Sequence, residues 1–225
     1  MTAPDNAPPW TIRPYRPSDR DAVRRICAAT CWMGQYRRDL IPDDWVWAEY
    51  WTRYFTDVEP RHTHVAVSNA DHQVGGYLMG TCDVRRFQSY APRILPGIAW
   101  HVIRHRLMRQ RASRRAITTM VRSMLLEGDS LPERLAKRYP ATWHFDLLPA
   151  ARGSGLGGLL YRRFFKQMRK LNVPGIHGQI LSLNHAVRQF LPRLGFVLAH
   201  SAPTSAFRHI IAEPVEIQTW VLPCE

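Results

Sequence analysis

A run with the pattern of a β-strand, TWHFDLLP at residues 142–149, leads directly into a glycine-rich turn, AARGSGLGG at residues 150–158. Apolar residues then recur at the spacing of an amphipathic helix; they are Leu159, Leu160, Phe164, Phe165 and Met168. The predicted order is therefore strand, glycine-rich turn, helix. Such a turn leaves backbone N–H groups unpaired at a helix N-terminus, where the helix dipole adds positive charge. The pattern favours a binding site for a diphosphate.

Two common phosphate-binding turns do not fit this segment. A P-loop requires Lys followed by Ser or Thr after its last glycine, whereas Leu159 follows Gly158 here. A dinucleotide-binding fold places its glycines in the first strand-helix unit, with an acidic residue about twenty positions later. Here the glycines come late in the chain, and no acidic residue occurs in the helix or strand that follows. The sequence excludes the P-loop and disfavours the dinucleotide fold.

A third type of turn does fit. The pattern Arg152-x-x-Gly155-x-Gly157, after a strand that ends at Pro149, resembles the acetyl-CoA pyrophosphate loop of the GNAT superfamily of acetyltransferases. A second segment, NHAVRQFLPRLGF at residues 184–196, resembles the family's strand-end Asn, helix and closing Leu-Gly-Phe. Because the strand-like opening of the chain and the helix start at Asp19 also agree with the family, the resemblance covers essentially the whole sequence.

The resemblance implies an α/β GNAT fold. We expect a mixed, mostly antiparallel sheet of about six or seven strands, splayed at a V-shaped cofactor cleft, with helices on both faces. A helical insertion would lie between the third and fourth strands. The expected organisation is a flexible tail at residues 1–9 and a single domain at 10–225 that carries a basic helical insertion at 85–138.

Several short pieces are similar to a narrower family, the acetyltransferase-like domain at the C-terminus of eukaryotic O-GlcNAcase and its free-standing bacterial relatives. The pieces are Ile12-Arg13-Pro14-Tyr15, Arg25-Ile26-Cys27, Glu59-Pro60, and Tyr139-Pro140-Ala141 leading into His144-x-Asp146-x-Leu148-Pro149.

Carried over position by position, the resemblance implies a set of cofactor-binding residues for acetyl-CoA. Along the pantetheine arm it places Phe145, Asp146, Leu147 and Leu148; at the pyrophosphate it places Arg152, Gly153, Ser154, Gly155, Leu156, Gly157 and Gly158; near the splayed strands it places Asn184. No metal is expected, because the other histidines show no shared ligand spacing.

The acid–base positions depart from the usual family pattern. Many members have a Tyr seven residues after the strand-end Asn and a Glu five residues before it, and here these positions are Leu191 and Gln179. Neither replacement exchanges a proton near pH 7. Strand alternation puts His144 and Asp146 on one face beside the expected cofactor. Asp146 and His144 are therefore the catalytic candidates, with a buried structural carboxylate and a core histidine as the alternatives.

Composition and charge fit a globular chain with anionic ligands. The 225 residues are 45% hydrophobic and 22% charged, and the formal net charge is +13. Residues 85–138 contain 13 Lys or Arg and 3 Asp or Glu, so this insertion carries 13 − 3 = +10 of that charge. Apolar spacings predict one helix that includes Ile98, Val102, Leu107 and Met108, a second over Ile117 to Leu125, and a short third near Leu131 to Tyr139.

We expect a cytoplasmic protein with reduced thiols and no membrane partner. No apolar run approaches the length of about 18 residues that spans a bilayer, and the first residues lack the pattern of a signal peptide. The four cysteines form no C-x-x-C pair.

Three functional hypotheses remain. The chain is an N-acetyltransferase that moves the acetyl group of acetyl-CoA directly to a primary amine, a CoA-binding protein without turnover, or an interaction module whose basic insertion docks on an acidic partner or nucleic acid. The sequence names neither the acceptor amine nor the oligomeric state.

Overall fold

A computed structural model describes residues 9–37, 43–127 and 131–224. Its strands are β1 (Trp10–Pro14), β2 (His64–Ser68), β3 (Val74–Thr81), β4 (Ala141–Leu147), β5 (Gly175–Leu181), β6 (Val197–Thr204) and β7 (Val215–Pro223). Its α-helices are α1 (Arg20–Ala29), α2 (Asp44–Arg53), α3 (Val84–Arg104), α4 (Arg111–Glu127), α5 (Glu133–Arg138), α6 (Leu156–Lys170) and α7 (His185–Phe190). The predicted tail lies outside the described residues except for Pro9, whose carbonyl accepts a hydrogen bond from the Asn69 N–H.

The seven strands form one sheet in the order β1-β2-β3-β4-β5-β7-β6. Neighbouring strands are antiparallel except β4 and β5, which run parallel. These two pair at only two positions, Ala141 with Ile176 and Thr142 with His177. Beyond Thr142 the two strands diverge, so the predicted mixed sheet with a V-shaped opening is confirmed.

Helices cover both faces of the sheet, as predicted, because β3 alternates its side chains between two cores. Tyr77 and Met79 pack with Val23 of α1 on one face. Leu78 packs with Phe164 of α6 on the other.

The insertion lies between β3 and β4, as expected, but its first helix differs from the sequence prediction. Helix α3 begins at Val84 and continues through Pro92 and Pro96, each of which removes one backbone hydrogen bond from the helix. The prediction that this helix includes Leu107 and Met108 was wrong. Arg106 adopts a left-handed conformation with φ of 52°, so Leu107–Arg109 form a separate 3₁₀ turn.

Helix α4 is anchored to the loop between β6 and β7. The carboxylate of Glu127 accepts hydrogen bonds from the Ser205 N–H at 2.9 Å and from the Thr204 hydroxyl at 3.1 Å. Met120 packs in the small cluster that contains Trp32 and Phe207. The insertion is thus attached to the β6 end of the sheet. None of the described helices has the combination of length and apolarity needed to cross a membrane.

Candidate active site

Strand β4 places its side chains alternately on the two faces of the sheet beside the V-shaped opening. His144 and Asp146 lie on the α1–α2 face, as predicted, where they contact Tyr77. Phe145 packs on the other face and stacks on Phe190, with ring centroids 6.5 Å apart. Beyond Thr142, β4 has no partner strand on its β5 side in the described part of the chain. Apart from the Leu147 carbonyl, which accepts a hydrogen bond from Arg152, its backbone polar groups on that side remain for a ligand.

Asp146 is the most strongly perturbed carboxyl group of the site. Its Oδ2 accepts a 2.6 Å hydrogen bond from the hydroxyl of Tyr77, and its side chain is 16% exposed. Burial raises the pKa of Asp146 to about 7, although the Tyr77 and Thr30 hydroxyls and the charge of Arg152 act in the opposite direction. A carboxyl group with this pKa exchanges protons near neutral pH.

His144 is held by the same tyrosine. Its Nδ1 lies 3.2 Å from the Tyr77 hydroxyl oxygen and 3.8 Å from Asp146 Oδ2. Because the only hydroxyl proton of Tyr77 is donated to Asp146, the contact with His144 requires a protonated Nδ1, which leaves Nε2 as an acceptor. Burial lowers the pKa of His144 to about 4, so the ring is neutral at pH 7. Trp51 of α2 stacks on this ring at 5.4 Å.

Tyr77 and Trp51 are residues that sequence reasoning missed. Tyr77 is fully buried and lies directly opposite Asp146 in the β3–β4 register. The two residues are 69 positions apart in the chain. Only the pairing of β3 with β4 across the long insertion brings them together, and no local motif indicates that pairing.

The glycine-rich turn has the backbone geometry expected of a diphosphate cradle. Gly153 and Gly155 have φ of 75° and 77°, in the left-handed region that glycine adopts most readily, and a Cβ built on either would meet no atom within 4 Å. Within the described residues, none of positions 153–158 donates its backbone N–H to a backbone carbonyl. Free donors, open space and the N-terminus of α6 therefore coincide, and this arrangement fits an anionic diphosphate.

The structure also locates the other residues that were predicted to belong to the turn. A Cβ on Gly157 would lie 3.1 Å from the Phe145 ring, so this glycine permits close packing of α6 on β4. Leu156 is buried in the core beneath the turn. The Ser154 hydroxyl donates to the Ala151 carbonyl at 2.8 Å, which stabilises the turn. Gly158 is on the first turn of α6.

Arg152 connects the turn to two distant segments in this structure. Its Nε donates to the Leu147 carbonyl at 3.0 Å, and its guanidinium also bonds to the carbonyl of Gly34. Gly34 has φ of 86° and lies in the loop after α1. The resemblance implies that Arg152 binds the pyrophosphate, whereas its contacts here are with the end of β4 and this loop.

Asn184 and Leu148 are placed at the ends of their elements. The Asn184 side chain caps α7, its Oδ1 accepting from the Val187 N–H at 3.2 Å. The Leu148 N–H donates to the Gly75 carbonyl at 2.8 Å, so this donor is used within the sheet.

The two positions that depart from the family pattern are also located. Leu191 has 0% exposure and belongs to the core cluster around α6. Gln179 lies on β5 opposite Thr219. Neither residue brings an acid or a base to the opening.

Two groups of potential metal ligands occur among the described residues. Their ligand atoms lie within 4.8 Å of one another, and the groups are Cys27, His144 and Asp146, and Glu59, His62 and Cys82. In the second group, Glu59 accepts a 3.0 Å hydrogen bond from Arg61, whose guanidinium supplies a positive charge. In the first, burial raises the pKa of the Cys27 thiol well above its usual range. Each group is held together by contacts within the protein.

Solved acetyltransferase structures resemble this chain over nearly its whole length. The crystal structure of SsHAT aligns with a TM-score of 0.69 at 28% identity and covers 97% of this chain and 100% of that one. A GNAT phosphinothricin acetyltransferase from Sinorhizobium meliloti, solved in complex with AcCoA, aligns with a TM-score of 0.55 at 16% identity over 96% of this chain and 88% of its own. A GCN5-related N-acetyltransferase from Kribbella flavida gives 0.57 at 17% identity over 96% and 98%.

No family model matches the sequence, and no curated protein is significantly similar to it. The family assignment of this chain therefore depends on the sheet order, the splay between β4 and β5, the turn before α6, and the alignment with these structures. Together they place the chain in the GNAT superfamily of acetyltransferases.

Proposed function

We propose that this chain transfers the acetyl group of acetyl-CoA directly to a primary amine, with Asp146 as the general base. The observation that carries the proposal is the position of Asp146. It is a carboxyl group with a pKa of about 7. It lies on β4, the strand that borders the V-shaped opening and leads into the diphosphate cradle.

The cradle and the opening suit the two polar parts of acetyl-CoA. Backbone N–H groups of residues 153–158 and the N-terminus of α6 would hold the pyrophosphate. Backbone groups of Phe145 and Leu147, which alternate with those paired to β3 and so face the unpaired side of β4, would bond the pantetheine amides and orient the thioester. The AcCoA complex of the Sinorhizobium meliloti relative supports acetyl-CoA as the donor.

Asp146 would act on the acceptor's proton. An acceptor amine arrives mainly as an ammonium ion, and the Asp146 carboxylate takes one proton from it, so that a neutral amine attacks the thioester carbon. The C–N bond forms, the C–S bond breaks, and the thiolate leaves. The nitrogen releases its second proton to solvent, and the thiolate takes a proton from solvent. Tyr77 would hold the carboxylate in position through its hydrogen bond, and His144 would in turn hold the Tyr77 hydroxyl.

A second function, binding of CoA without turnover, is favoured by one observation. Leu191 is buried in the core at the position where many GNAT enzymes place a proton-donating Tyr. If leaving-group protonation is essential in this chain, the turn would bind CoA and no acetyl transfer would follow.

One paired experiment separates the two functions. Acetyl-CoA is titrated calorimetrically, and release of free CoA thiol is followed with a panel of amines, peptides and amino sugars. The proposal expects binding together with amine-dependent thiol release. Binding without release for every amine supports the second function, and absence of binding contradicts both.

A further inference from the structure

The helical insertion exposes large apolar side chains next to its arginines. On α4, Val121 is 44% exposed, Leu125 is 74% exposed and Leu126 is 72% exposed. On α3, Trp100 is 64% exposed and Ile103 is 68% exposed. Single exposed apolar residues are ordinary on protein surfaces, but a cluster of this kind marks a surface that binds something.

The exposed apolar side chains of α4 border an open groove. Its volume is about 440 Å³, and it is lined mainly by apolar side chains, namely Met108, Ile117, Val121, Leu125 and Leu126, with Thr118 and Arg122 at its edge. Ile117, Val121 and Leu125 are spaced four residues apart, so they form one continuous row along the helix.

A basic row runs beside this apolar row. Arg111, Arg115 and Arg122 are exposed and share one side of α4 by their spacing. Seven arginines occur between positions 104 and 122: Arg104, Arg106, Arg109, Arg111, Arg114, Arg115 and Arg122. None of the seven forms an ion pair with a carboxylate in the described part of the chain.

The third side of α4 faces the protein. Ala116 and Ser123 are buried, and Glu127 is bonded to the loop between β6 and β7. The helix is therefore fixed to the fold by one side, and it presents the apolar and basic rows outward together.

The positive charge of the insertion and its exposed apolar side chains together indicate what kind of partner binds this surface. A second copy would bring another insertion with a formal charge of +10 against the first. Nucleic acid would engage the arginines but leave the exposed Val121, Leu125 and Leu126 without a counterpart. The surface of a bilayer with anionic lipids satisfies both rows, because apolar side chains enter the headgroup boundary while arginines contact the lipid phosphates.

We propose that the insertion binds the surface of membranes that contain anionic lipids, with α4 lying in the plane of the interface. The expectation of no membrane partner rested on the lack of a spanning segment, and a helix that lies on a surface needs no such segment. The proposal is independent of acetyl transfer.

Vesicle co-sedimentation tests the proposal with the full chain. We expect binding to phosphatidylcholine vesicles that contain phosphatidylserine, weak binding to phosphatidylcholine alone, and a decrease on addition of salt. The triple change Arg111→Gln, Arg115→Gln and Arg122→Gln should weaken binding about a hundredfold, since each basic side chain near an anionic surface contributes roughly fivefold. The control with the same change in charge is Arg16→Gln, Arg25→Gln and Lys170→Gln, at exposed positions outside the insertion.

A second pair of variants tests the apolar row. Val121→Asp with Leu125→Asp should abolish vesicle binding, whereas Leu171→Asp with Val197→Asp, at exposed apolar residues elsewhere, should bind nearly as wild type. Equal loss in both pairs, or no binding to anionic vesicles, overturns the proposal. It is also overturned if the first pair instead abolishes a concentration-dependent dimer, or if the chain prefers duplex RNA or polyglutamate over the vesicles.

Discussion

The hydroxyl of Tyr77 donates a 2.6 Å hydrogen bond to Oδ2 of Asp146 across the β3–β4 pairing. Tyr77 is fully buried, so its ring cannot turn away to solvent. The bond favours the carboxylate form of Asp146, while burial favours the neutral form and raises its pKa to about 7. Tyr77 therefore fixes the position of the proposed base and holds its pKa below the value that burial alone would produce.

Replacing Tyr77 by Phe removes this hydrogen bond and leaves burial unopposed at that oxygen. The pKa of Asp146 should rise, so the acidic limb of the kcat/KM profile should move upward by about one pH unit. The measurement is the pH profile with saturating acetyl-CoA. Tyr161→Phe is the matched control, because Tyr161 is buried and its hydroxyl has no hydrogen-bond partner among the described residues. A profile unmoved by Tyr77→Phe would contradict the role given to Tyr77.

Asp146→Asn keeps the shape of the side chain and removes its charge. Acetyl transfer should fall at least about a hundredfold, as for other lost acid–base groups, while acetyl-CoA affinity stays close to wild type. Thiol release and calorimetry measure the two quantities, and Asp21→Asn, at an exposed position on α1, serves as the control. Wild-type turnover would make Asp146 a structural residue, and lost cofactor affinity would assign it to support of β4.

The same variant tests the pKa of Asp146 without any substrate. Its folded-state pKa, about 7, is raised from the ordinary aspartate value of 3.8. A group with a raised folded pKa stabilises the fold fully below its unfolded pKa, and this contribution is lost as pH rises through the folded value. Wild type should therefore lose up to a few kcal/mol of stability between about pH 4 and 7 from this group.

Asp146→Asn should lack this component. Its free energy of unfolding, measured by urea titration across the same range, should change less with pH than that of wild type. If the free energies of unfolding of the two proteins change with pH in the same way, Asp146 has an ordinary carboxyl pKa.

Much of the fold could be predicted from patterns that are local in the sequence. Strand β4, Pro149, the glycines and the apolar spacing of α6 are adjacent in sequence, and each has a strong conformational preference, so that unit was predictable. The opening between β4 and β5 was predicted from the resemblance to the GNAT superfamily. Helix α3 was only partly predictable, because Pro92 and Pro96 ordinarily end a helix.

Contacts between distant segments were not predictable from the same signals. Tyr77 meets Asp146, and Arg152 bonds to the carbonyl of Gly34, only through tertiary packing. The stacking of Trp51 on His144 likewise depends on how α2 lies on the sheet. The spacing of residues within one helix or strand predicted which face each side chain occupies. The contacts between side chains of different elements depend on how the whole sheet is assembled.

The proposed cradle for the pyrophosphate is tested by Gly155→Val. The residue has φ of 77°, and a Cβ there points into open space. Valine in this conformation should cost about 1–2 kcal/mol of stability. It should also place two methyl groups where the diphosphate approaches, so affinity for acetyl-CoA should fall at least about tenfold. Gly97→Val is the control, since a Cβ on Gly97 also meets open space but within helix α3. Calorimetry and thermal unfolding separate the two effects, and a folded Gly155→Val protein with unchanged affinity would place the pyrophosphate elsewhere.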